Sequence, residues 1–232
     1  MRTTFGIVRV LGSLAIIAAI IGQGINTAAF FGSNGKGDNA VAHSLFNFVS
    51  FFTIESNIIA AVTFGIGAGV LLLTKGDGPA WFATLRLGAV TYMTITGLVY
   101  NLLLRGYPLP QGRTLEWANE VFHVVMPIVV LLDWLLAPGR GRLDYKKIWV
   151  VIAFPIVWCA YTLIRAPFAV DPSLGTTPWY PYPFLDPQLS HNGYVSVAFY
   201  IIVIALVICS IAAGAIWVSR RRDRWPLPTR TA

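Results

Sequence analysis

The chain has 232 residues, of which 56% are hydrophobic and only 12% charged, about half the charged share usual in a soluble domain. A soluble fold of this size cannot hide so many apolar side chains, and a mean hydropathy of +0.67 excludes disorder and an ordinary cytosolic enzyme alike. Seventeen Lys and Arg against ten Asp and Glu leave a net charge of +7; in so apolar a chain the excess reads as topology anchors and headgroup contacts, with no nucleic-acid partner.

A helix needs about 20 apolar residues to cross a bilayer, and six segments qualify: near 5–27, 45–73, 82–104, 118–136, 148–167 and 194–218. The first opens on Arg2 and Arg9 and closes on Asn26-Thr27-Ala28-Ala29, a pattern that also suits a secretory leader. Its apolar run is long for one, and an uncleaved first helix is expected. Breaker-rich stretches separate the spans: Gly32-Ser33-Asn34-Gly35-Lys36-Gly37, Lys75-Gly76-Asp77-Gly78-Pro79, Pro108-Leu109-Pro110-Gln111-Gly112 and Pro138-Gly139-Arg140-Gly141-Arg142. Only the fifth connection is long, 28 residues from Ala166 to Gly193. Its aromatic, proline-stiffened stretch Thr177-Pro178-Trp179-Tyr180-Pro181-Tyr182-Pro183-Phe184 reads as an interfacial belt or as a lid. With no repeat and no appended domain, the expectation is an all-α integral membrane bundle, one domain over 1–232. Cys159 and Cys209 lie in apolar runs without a CxxC and read as small core residues.

With the N-terminus cytoplasmic, thirteen Lys and Arg fall on that side, against Lys36, Arg105, Arg113 and Arg165 on the other. The positive-inside rule then puts both termini in the cytoplasm and the fifth loop outside.

Ionisable and polar groups inside a span are costly, so each is a functional candidate. In the outer half of the second span lie Thr53, Glu55 and Asn57, with Ser50 nearby; Ser50, Thr53 and Asn57 are spaced i, i+3, i+7, one face of a continuous helix. Tyr100, Asn101 and Arg105 end the third span on the same side, Asn119, Glu120 and His123 open the fourth, and Tyr161 and Arg165 close the fifth. Asp133 is the main polar group of the inner half. One polar chamber near the outer leaflet accounts for this clustering.

His123 is the one histidine well inside a span; His43 and His191 read as loop residues. Histidine suits acid–base work near neutral pH. A lone membrane threonine usually bonds its own i−4 carbonyl; beside His123, Thr53 becomes a candidate nucleophile, because a hydroxyl needs a base to lose its proton. Haem, di-metal and retinal chemistry lack their residues: histidines are not paired within spans, Glu120-x-x-His123 occurs once, and no span holds a lysine. No cofactor or metal is expected.

The stretches Phe51-Phe52-Thr53-Ile54-Glu55-Ser56-Asn57 and Asn119-Glu120-Val121-Phe122-His123, with a late Trp-Tyr-Pro loop, resemble the androgen-induced and androgen-dependent transmembrane hydrolases, in the form of a bacterial six-span relative. The likeness runs over residues 5 to 220 or so, in span number and motif order. It implies a threonine hydrolase of lipid esters, with the family's nucleophile falling on Thr53 and its histidine on His123; animal members cleave fatty acid esters of hydroxy fatty acids. The residues themselves suggest Asn57, Asn119 or Asn101 as oxyanion donors and Glu120 or Glu55 to orient the imidazole. Arg165 and Arg105 suit the carboxylate of an acidic lipid. Expected partners are membrane lipids and the ester substrate. The rival reading is a non-enzymatic membrane protein, a small transporter or lipid-binding partner, with a polar path continuing through Asp133.

Overall fold

The second apolar run, expected as one span, is broken in two. Helix α1 (Arg2–Asn34) is followed by a short α2 (Ala40–Val49), which carries His43, and α3 (Phe52–Leu73) starts afresh past an extended Phe51. Side chains cause the break. The Ser50 hydroxyl donates back to Phe46 O at 2.8 Å and meets Tyr161 OH at 3.0 Å, while the Trp158 indole donates to Ser50 O at 3.1 Å. The Ser50 carbonyl is thus diverted from the helical ladder by a residue far along the chain. Ser50 therefore does not share a continuous helix face with Thr53 and Asn57, which lie on α3 alone.

The remaining helices are α4 (Ala80–Leu104), α5 (Glu116–Leu136), α6 (Lys147–Phe168) and α7 (Tyr194–Arg221). The computed structural model describes residues 1–76, 78–107, 112–139 and 141–221. Asp77, the Pro108 to Gln111 breaker and four residues of the charge count (Arg140, Arg222, Arg224 and Arg230) lie outside the described residues. Among the described residues the structure is helical, with a single isolated bridge between Asp171 and Thr176 and no strand. Among the described residues six helices, all but α2, are long and apolar enough to cross a membrane.

Helix α4 is the axis of the bundle. It packs against α3, α5, α6 and α7, and its apolar stretch is the most buried of the six. It also repairs two backbone defects. Pro127 in α5 and Pro155 in α6 lack the N–H that would bond the carbonyl four residues earlier. Asn101 donates to His123 O at 3.0 Å and Tyr92 to Val151 O at 2.6 Å, so both orphaned carbonyls find partners on α4. Helices α4 and α5 leave α geometry near the first of these bonds, π-helical over Tyr100–Leu104 and Val121–Val125, as helices often do around functional residues.

This gives a first prediction. Asn101→Leu strands the His123 carbonyl and should lower stability by about 1–3 kcal/mol, the cost of a buried unsatisfied acceptor. In a Pro127→Ala background, where residue 127 regains an N–H, the same substitution should cost clearly less. Thermal unfolding in detergent measures both; equal losses would refute the orphan-carbonyl explanation.

At the opposite end of the bundle Arg2 donates to Thr74 O, and Leu143 N to Ser219 Oγ, so the described N- and C-terminal residues share one side. Just inside it, Asp133 accepts from Arg9 Nε at 2.8 Å, Arg9 Nη2 at 3.0 Å and Arg86 Nη2 at 3.0 Å. Arg9 and Arg86, read from sequence as surface anchors, are buried. They tie α1 and α4 to α5 through one carboxylate.

Candidate functional site

Thr53 sits in the first turn of α3, created by the break at Ser50 and Phe51. A residue there has no helical acceptor for its N–H, and none for its side chain at i−4. Its hydroxyl turns instead toward α5: Thr53 Oγ1 lies 3.3 Å from His123 Nε2. Both residues are buried.

Bond directions follow from chemistry. His123 Nδ1 is 2.9 Å from the backbone carbonyl of Asn119, which can only accept. Nδ1 therefore carries the proton of the neutral ring, and Nε2 presents a bare lone pair to the Thr53 hydroxyl. The ring stacks on Tyr100 with centroids 3.9 Å apart and planes 18° off parallel. Tyr100 OH in turn accepts from Asn119 Nδ2, and the Arg105 guanidinium covers its other neighbourhood at 5.3 Å. The imidazole is fixed in tautomer and in plane.

The long loop supplies a third group. Tyr182 is buried and its hydroxyl lies 3.2 Å from both Thr53 Oγ1 and Thr53 N. Since the Thr53 hydroxyl gives its one proton to His123, Tyr182 O–H donates to Thr53 Oγ1 while its oxygen accepts from Thr53 N–H. The resulting chain runs Tyr182 to Thr53 to His123 to the Asn119 carbonyl.

The other expected site residues fall around this chain in different roles. Neither carboxylate orients the imidazole: Asn119 O occupies Nδ1, Glu120 pairs with Arg105 at 3.1 Å, and Glu55 is half-buried in the first turn of α3. None of the three asparagines aims a donor at Thr53 Oγ1. Asn57 spends its amide on Thr53 O at 2.8 Å, Asn101 spends both protons on Gly97 O and His123 O, and Asn119 serves Tyr100. Ser50 and Tyr161 bond each other and mark the α2–α3 break. Arg165 donates to Asn47 Oδ1 and covers Phe46 and Trp179, 4.6 and 5.5 Å from their ring centres. It fastens the root of the loop, where Asn47 also donates to Val170 O at 2.9 Å and Trp179 N to Ala166 O at 3.1 Å. Arg105 remains half-exposed at the rim.

Two spaces meet at Thr53 and Tyr182. The larger, about 160 Å³, is almost wholly apolar and runs between α4, α6 and α7 past Ile95, Pro155, Cys159, Ile204 and Ile208. Ile156 and Ala205, on its walls, are exposed on the bundle's flank. The smaller, about 20 Å³, lies on the α1 and α5 side and is lined by Gln23, Asn119 and His123 among others. That is room for about one water.

No family model, no curated protein and no solved structure matches the chain.

Sequence reasoning missed Tyr182 as a site residue. Its signal was its place in a loop too long to be a mere connection, but the hydroxyl's target depends on how that loop folds back over α3.

Proposed function

We propose that this chain is an integral membrane hydrolase of lipid esters, with Thr53 as nucleophile and His123 as general base. The observation that carries the reading is the bare Nε2 of a tautomer-locked, buried imidazole facing a hydroxyl at the head of an apolar cleft. A buried threonine with only a structural role needs neither a base nor an adjoining space for a chain. The likeness of the Thr53 and His123 stretches to the transmembrane threonine hydrolases points the same way.

The steps balance without a cofactor. Thr53 Oγ1 attacks the ester carbonyl while its proton passes to His123 Nε2, giving a tetrahedral intermediate. The bond to the alcohol oxygen breaks, and that oxygen takes the proton from His123, leaving an acyl-threonine. Water then attacks the acyl carbon, giving its proton to the same nitrogen. Finally the bond to Oγ1 breaks, Thr53 recovers its proton and the acid leaves. The acyl chain suits the cleft, whose side opening between α6 and α7 faces lipid if the six spans cross a bilayer. The rival transport path through Asp133 meets a carboxylate already held by two guanidinium groups.

The test is turnover of a chromogenic medium-chain ester by the purified protein in detergent. Hydrolysis above the level of a His123→Ala control is expected, and its absence would overturn the reading.

Membrane insertion, a bacterial plasma membrane and cytoplasmic termini belong to the same proposal, supported by the exposed apolar faces of α6 and α7 (Val157, Ile164, Phe199 and Leu206) and by the charge bias. In a background with Cys159 and Cys209 replaced by alanine, Ser173→Cys should react with an impermeant thiol reagent added to intact cells. Arg142→Cys should react only after lysis. Labelling of both from one side would contradict the six-span topology.

A further inference from the structure

In the resting site the three asparagines donate to Thr53 O, Gly97 O, His123 O and Tyr100 OH, and none donates to Thr53 Oγ1, beside which the negative oxygen of the tetrahedral intermediate forms. Thr53 has two donors about it that can serve that oxygen: its own backbone N–H, free of the helical ladder in the first turn of α3, and the hydroxyl of Tyr182. We propose that Tyr182 O–H and Thr53 N–H together form the oxyanion hole of this site, with the long loop delivering the tyrosine. This deepens the hydrolase reading above and rests on it.

Geometry supports it. In the intermediate the oxyanion and Thr53 Oγ1 are bonded to the same carbon, so a donor beside Oγ1 is also beside the oxyanion. Tyr182 O and Thr53 N lie 3.2 Å apart and bond each other in the resting site. An entering carbonyl oxygen that takes the place of the phenol oxygen as acceptor for Thr53 N–H receives the Tyr182 proton from the other flank. As the acyl-enzyme collapses, the phenol returns to Thr53.

The phenol is held for this work. Its ring stacks on Phe184 at 5.2 Å with planes 4° apart, and Phe51 meets it edge-on at 5.6 Å. Burial pushes its ionisation up to about 12, so it keeps the proton it must donate across neutral and mildly alkaline pH. A fixed donor in a water-poor site needs no reorganisation as charge develops.

Tyr182→Phe keeps the ring and its stacking and removes only the donor. In purified full-length protein, kcat for the chromogenic ester should fall about 10²–10³-fold with KM little changed, the usual loss for one oxyanion donor. A second measurement separates this from mere positioning. An alkyl trifluoromethyl ketone, which forms a tetrahedral oxyanion on the nucleophile, should lose affinity by about the same factor. Binding of the parent fatty acid, which forms no adduct, should stay within about twofold, well short of one kcal/mol in affinity. Equal losses for ketone and acid, or unchanged kcat and ketone affinity in a folded Tyr182→Phe protein, would overturn the proposal. Thr53→Ala run alongside keeps the two claims apart: if it is inactive while Tyr182→Phe is unimpaired, the oxyanion hole fails and the hydrolase stands. If Thr53→Ala is fully active, the hydrolase itself fails.

Discussion

Thr53→Ala is expected to reduce ester hydrolysis by at least about 10³-fold, and His123→Ala by nearly as much, while the double variant is scarcely worse than either. The reason is that the pair acts as one unit. Without the imidazole the hydroxyl keeps its proton; without the hydroxyl the imidazole has nothing to deprotonate except water. Thr53→Ser should retain partial activity, because the hydroxyl survives and only the methyl that limits its rotamers is lost. The bulk of the fold should not notice: among the described residues Thr53 Oγ1 bonds His123 and Tyr182, and Ser56 and Asn57 donate to its backbone carbonyl, which alanine keeps. Initial rates on the chromogenic ester, with unfolding temperature as the control, measure this. Additive losses from the two single variants would mean that the residues act separately.

The largest effect on stability is expected at the other end of the bundle. Asp133→Ala leaves two buried guanidinium groups side by side with their shared counter-charge gone. Removing one partner of a buried ion pair costs about 3–5 kcal/mol, because an uncompensated charge remains in a medium that cannot solvate it. Here two remain, and if the six spans cross a bilayer their surroundings are less forgiving than water. The backbone bonds Arg9 makes to Gly67 O and Arg86 to Gly139 O hold both side chains in place, so neither swings out to relieve the repulsion. Asp133→Ala should therefore yield little folded protein. Replacing Arg9 and Asp133 together by leucine should be less harmful than Asp133→Ala alone, since a single cation is left. Yield of monodisperse protein and thermal unfolding in detergent report both; an Asp133→Ala protein as stable as wild type would refute the triad's role.

Hydropathy alone makes the six long helices legible, because a run of about 20 apolar residues has few other destinations. It also hides what matters most. Between residues 45 and 73 nothing local announces a break; the Ser50 carbonyl bonds Trp158 and its hydroxyl meets Tyr161, both on another helix. Without that break Thr53 would be a mid-helix threonine with its hydroxyl turned back on its own turn. Thr53 and His123 stood out because polar groups are rare in spans. The amides and carboxylates around them bond partners that the sequence does not announce, since a spacing along one helix does not say which amide faces a carbonyl on the next. Arg9 and Arg86 looked like anchors for the same reason: pairing with Asp133 is a matter of tertiary distance. Pro127 and Pro155 were visible, and each implied an orphaned carbonyl; that α4 answers both is seen only in the folded chain.

The most direct measurement is covalent capture of the nucleophile. Purified protein is treated with an alkyl fluorophosphonate, digested and mapped by mass spectrometry. The adduct is predicted on Thr53, with labelling abolished in Thr53→Ala and strongly slowed in His123→Ala. An adduct on another residue, or equal labelling of wild type and Thr53→Ala, would contradict the assignment of Thr53 as the nucleophile.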